Sequence, residues 1–163
     1  MANVSMKVFA LLPLGLFILP ACSRSHSISG VLATYTAPAL FLPDPSRTPG
    51  KLCTDSDPNF QEYRYAEKIP YCRRNVSQNE KSQIGSLYGI ASSEWPQFEF
   101  DHFIPLGIGG SDDIDNIWPQ RLDAAREKDV LENQLFLQMQ AGTLTQADAV
   151  AQIQAWRPDA SLQ

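Results

Sequence analysis

The chain is 163 residues long, 44% hydrophobic and 19% charged, with a formal net charge of −5. That length suits one domain able to bury a core, and the composition excludes a disordered chain as the default reading. The acidic balance counts against a general, tight nucleic-acid binder, because neutralising phosphates supplies most non-specific affinity. Ten of the eighteen acids fall between Glu94 and Glu132, whereas Arg64, Lys68, Arg73, Arg74 and Lys81 lie upstream of them.

Lys7 precedes an apolar run from Val8 to Leu19, too short to span a bilayer and laid out as an export signal over residues 1–21. The run ends Leu19-Pro20-Ala21-Cys22. This resembles a bacterial lipobox and implies that Cys22 is lipidated, so that the protein meets the membrane by a lipid anchor alone. The expected address is the cell envelope, with plain secretion as the alternative. Removing residues 1–21 takes Lys7, the one charged residue there, and makes the mature chain one unit more acidic. Residues 22–51 are rich in Ser, Thr and Pro and read as a tether.

The folded domain is expected over 52–163. In an oxidising compartment Cys53 and Cys72 form a disulfide closing a loop of about 20 residues, which stabilises by roughly 3 kcal/mol in the chain-entropy picture. Zinc is the poorer alternative for two cysteines so far apart without a nearby histidine. Between them, Phe60, Tyr63, Tyr65 and Tyr71 read as loop aromatics packed over the disulfide. Ser77-Gln78-Asn79-Glu80 is a capping box opening a helix with Ile84, Leu87 and Tyr88 on its apolar face, stopped by Gly89. Residues 91–97 read as a loop ended by Pro96.

Phe98 to His102 alternates as a strand: Phe98, Phe100 and His102 on one face, Glu99 and Asp101 on the other. A loop rich in Gly and Asp runs to Asn116, Ile117-Trp118-Pro119 forms a second short strand, and a helix begins near Gln120. Its buried side is expected at Leu122, Ala125, Val130, Leu131, Leu135 and Met139, with Gly142 ending it. Thr145 caps a last helix that buries Val150, Ile153 and Trp156. The class is α+β.

Asp101-His102-x-Ile104-Pro105-Leu106, then Gly109-Gly110-Ser111 and Asn116, resembles the core of the HNH endonucleases, the ββα-metal nucleases. Lys128-Asp129, Leu131-Glu132-Asn133 and Ala151-Gln152-Ile153 with Trp156 extend the likeness to a group of small exported bacterial HNH-type proteins, over roughly residues 52–157. The resemblance implies a ββα-metal core with a preceding helix and a C-terminal helix, stapled by one disulfide. It implies an endonuclease hydrolysing phosphodiester bonds of nucleic acid with low sequence specificity, DNA ahead of RNA, and acting as a monomer.

In that scheme His102 is the general base, Asn116 bridges the loop ends and orients it, and Asp101 holds one divalent ion, Mg²⁺ or Mn²⁺ ahead of Zn²⁺. His26, in the tether, is the only other histidine. The helix position nine after Asn116, where many HNH proteins carry a metal-binding histidine, is Ala125. Asp129, one turn on, is the expected second ligand, with Asp123 or Glu132 as alternatives, and Lys128 is a phosphate contact. The absent histidine also motivates a different expectation, a catalytically silent HNH-like envelope lipoprotein with a binding or structural role.

Overall fold

The computed structural model describes residues 42–159. The export signal, Cys22, His26 and most of the tether lie outside them. The described end of the expected tether, residues 42–51, is a packed strap. Thr48 is fully buried and its hydroxyl lies 2.7 Å from the Tyr88 hydroxyl, while Gly50 N donates to Asp115 O at 3.1 Å. Gly50 sits at φ +85°, and a Cβ there would come within 3.0 Å of the Phe103 ring. The domain therefore begins before residue 52: proline-rich composition marks irregular backbone, which here is still buried.

Residues 53–72, expected as loop, contain a hairpin. β1 (Phe60–Arg64) pairs antiparallel with β2 (Ile69–Cys72), and Cys53 is disulfide-bonded to Cys72 as expected. The hairpin carries no Asn-Gly signal because its turn uses Tyr65 and Lys68 at φ 62° and 55°. The Arg64 guanidinium stacks 3.2 Å from the Tyr71 ring centroid, which helps to pin so short a pair.

α1 (Gln78–Tyr88) starts at the Ser77 capping box and stops at Gly89 in the left-handed conformation, φ 71°. Ile84 and Tyr88 pack on β3 (Phe98–His102) and β4 (Ile117–Arg121), in a cluster with Phe98, Phe100, Ile117 and Trp118. A 3₁₀ turn over Ser92–Gln97 takes the place of the expected loop. β3 and β4 are antiparallel, with Asp101 opposite Trp118 and His102 opposite Ile117. Burial alternates along β3 as its residue pattern requires.

α2 (Leu122–Gln140) follows β4 directly. Its buried side is Ala124, Ala125, Lys128, Leu135 and Met139, whereas Leu122 and Val130 are 45% and 60% exposed. The apolar residues alone put the stripe a little off axis because its centre is a lysine. α3 (Gln146–Ala155), capped by Thr145, closes a second core of Ile69, Ile104, Ile108, Leu135, Met139, Ala149 and Ile153. Among the described residues the fold is mixed α+β, with two small antiparallel sheets and one disulfide. Among the described residues no helix is long and apolar enough to cross a membrane.

Candidate active site

Asn116 sets the path of the loop between β3 and β4. Its Oδ1 accepts from Ile104 N at 2.9 Å and Lys51 N at 3.3 Å, and its Nδ2 donates to the carbonyls of Ile104 and Ser111 at 2.9 and 2.8 Å. All four side-chain bonds end on backbone, so the side chain replaces a missing rung of sheet. Gly110 permits the closure: a Cβ there would lie 1.8 Å from the Ile104 carbonyl oxygen. The bridging expected of Asn116 is present. Its expected contact with the base is not, since none of its bonds goes to the imidazole.

Asp112 makes that contact. His102 is 3% exposed, and its Nε2 lies 2.8 Å from Asp112 Oδ1. The other carboxylate oxygen accepts from Asn75 N at 2.7 Å and Asn59 Nδ2 at 3.2 Å. On the far side of the ring, Arg74 Nη1 is 3.2 Å from Nδ1, and Arg74 Nη2 donates to Phe100 O. Arginine can only donate, which assigns Nδ1 as acceptor and places the imidazole proton on Nε2, donated to Asp112. The sequence signal for Asp112 is slight, an acid two residues after Gly110 in a loop that holds two other acids.

Lys128 does not face a phosphate. It is 1% exposed, and its ammonium donates to Asp101 Oδ2 at 2.7 Å, to the His102 carbonyl at 2.7 Å and to Glu132. Burial pulls its pKa down, but the carboxylates of Asp101 and Glu132 outweigh it and hold the amine above its ordinary range. Glu132 is raised to about 7, by burial first, with Lys128 opposing and Asp101 and Asp129 adding to the rise. Burial also lifts Glu99, followed by the charges of Asp101 and Asp129.

The expected metal ligands are therefore in one neighbourhood but not in one shell. Asp129 is exposed beside Glu132 and Asn133, Asp123 is paired with Arg121 at 2.8 Å, and Ala125 is buried apolar packing. Among the described residues, the one group of three with ligand atoms within 4.8 Å is Cys53, Asp57 and Cys72, whose sulfurs are spent in the disulfide. As arranged, with an ammonium on Asp101, these residues do not fit a divalent ion.

Arg74, which covers Nδ1, also lines an open groove of about 360 Å³ with Lys81, Trp95, Glu99, Phe100 and Leu122. Lys81 Nζ stands 5.9 Å from the Phe100 ring centroid. Of the upstream basic residues, Arg74 and Lys81 thus reach the site, while Arg64 is turned to Glu62 and Tyr71. No protein-family model, curated protein or solved structure matches this chain.

Proposed function

We propose that this chain is an endonuclease of HNH type, hydrolysing phosphodiester bonds of nucleic acid with DNA ahead of RNA. The reading is carried by one observation: a buried imidazole, tied through Nε2 to Asp112, whose Nδ1 faces Arg74, a cation that also lines a groove with Lys81. The succession of β3, β4 and α2, with Asp101 and His102 at the end of the first strand, supports a ββα-metal-type core. Export to the cell envelope with Cys22 lipidated belongs to the same reading, and the disulfide supports an oxidising address.

A backbone phosphate entering the groove is gripped by Arg74 and Lys81. Arg74 then leaves Nδ1, and a water takes its place. Nδ1 accepts a proton from that water as its oxygen attacks phosphorus. Asp112 stabilises the imidazolium that results and keeps the ring in register. The bond to the leaving oxygen breaks, and solvent or the imidazolium returns a proton to it. A divalent ion, expected from the resemblance, has no part in these steps because Asp101 is already engaged by Lys128.

A nicking assay on supercoiled plasmid tests the proposal, with the oxidised protein beside His102→Ala, in Mg²⁺, Mn²⁺, Zn²⁺ or EDTA. Cleavage lost in the variant is the expected result. The silent-lipoprotein reading is favoured by a specific feature, that both imidazole nitrogens have protein partners at once. Absence of cleavage in every buffer, from folded and disulfide-bonded protein, would select it.

A further inference from the structure

Lys128 is the least expected residue of the site. A helical lysine four residues before a glutamate ordinarily forms an exposed pair worth a few tenths of a kcal/mol. Here the side chain is buried to 1% exposure, at a desolvation cost that only full compensation offsets. The compensation is complete. An ammonium has three hydrogens, and three oxygens receive them: Asp101 Oδ2, the His102 carbonyl and a carboxylate oxygen of Glu132.

Those acceptors come from the last two residues of β3 and from α2. They bound the notch in which Asp101 would have to hold a divalent ion. Mg²⁺ binds carboxylate oxygen at roughly 2.0–2.1 Å and demands near-octahedral surroundings. An ammonium at 2.7 Å from Asp101 Oδ2 occupies the place such an ion would take on that oxygen. Charge opposes the ion as well, because a cation already sits between the two carboxylates.

We propose that Lys128 is the resident cation of this site, standing where a divalent ion would need to bind and fixing His102 through its backbone carbonyl. The native chain then takes up no divalent ion at Asp101, and cleavage, if the proposed function holds, does not depend on one. Lys128 is a positioning residue: it acts on His102 and Asp101 and does not touch substrate. Its removal creates what it replaces. Lys128→Met leaves Asp101 and Glu132 facing each other, with the charges of Glu99 and Asp129 close enough to act on them.

The test is Mn²⁺ binding by electron paramagnetic resonance on the full, oxidised chain, for wild type, Asp101→Asn, Lys128→Met and the double variant. Wild type and Asp101→Asn are expected to leave one added equivalent in the free aquo form. Lys128→Met should bind one equivalent and lose it again in the double variant. Uptake of one equivalent by wild type, abolished in Asp101→Asn, would overturn the inference.

Should Lys128→Met fail to fold, wild type alone decides. Mn²⁺ at Asp101 would broaden the His102 ring resonances beyond detection, and the inference expects them to stay sharp. The nicking assay keeps the two readings apart. Cleavage that persists in EDTA supports both. Cleavage recovered only with Mn²⁺, together with Asp101-dependent binding, overturns this inference and keeps the nuclease. Absence of cleavage counts against the nuclease, while the resonance result still decides Lys128.

Discussion

Asp112 Oδ1 and His102 Nε2 lie 2.8 Å apart, with side-chain exposures of 1% and 3%. The carboxylate is itself held by Asn59 and Asn75, so the pair is rigid on both sides. Asp112→Asn keeps an acceptor for Nε2–H but removes the charge that would stabilise an imidazolium. We expect kcat to fall by about 10²- to 10⁴-fold with KM little changed, and ¹⁵N spectra to keep the proton on Nε2. Undiminished kcat would show that Asp112 serves only packing.

Asn116 and Gly110 hold the loop on which that geometry depends. Asn116→Ala strands buried backbone groups of Ile104 and Ser111, and it should cost about 3 kcal/mol or more. Gly110→Ala drives a methyl into the Ile104 carbonyl and should be at least as damaging. Urea midpoints with unchanged slopes would report both losses. A stable Gly110→Ala protein would mean that the loop has another way to close.

Removing the disulfide by Cys53→Ser with Cys72→Ser opens a loop of sequence separation 19 and should cost about 3 kcal/mol. β1 has no buried residue of its own, so the loss should appear first in this hairpin, as faster amide exchange at Tyr63 and Tyr71. Equal melting temperatures for the two proteins would rule this account out.

Glu132 gives the fold a pH dependence. Its carboxyl ordinarily ionises near 4.5, and burial holds it up at about 7. Between those values the unfolded chain has released a proton that the folded chain keeps, so stability falls as pH rises through the window. The slope contributed is at most about 1.4 kcal/mol per pH unit. Glu132→Gln should flatten it, and urea titrations across that window compare the two proteins. Parallel curves for wild type and variant would place the titration elsewhere.

Local signals carry much of this structure. The Ser77 box, Gly89, the alternation of Phe98 to His102 and the Thr145 cap are decided by residues within a turn or two, and each is where its chemistry puts it. Cys53 and Cys72 need only the logic of compartment. What stays hidden is non-local. Asp112 owes its burial to Asn59 and Asn75, which precede it by 53 and 37 residues. Lys128 is inside because Asp101, 27 residues earlier, faces it. Periodicity assigns any lysine to the surface, which is why it centres the α2 stripe wrongly. The β1–β2 hairpin escapes a reading of the residues because its turn asks Tyr65 and Lys68 to adopt conformations that usually announce themselves as glycine or asparagine.

The strap over residues 42–51 has a bearing on how the protein comes to be folded at all. Thr48 and Lys51 reach Ile117, Asn116 and Asp113 at sequence separations of 62 to 69, so these bonds close some of the longest loops in the domain. Entropy defers such contacts until most of the chain has condensed. The surroundings of the imidazole are thus completed late, together with the whole molecule, and an excised β3–loop–β4–α2 peptide would not assemble them.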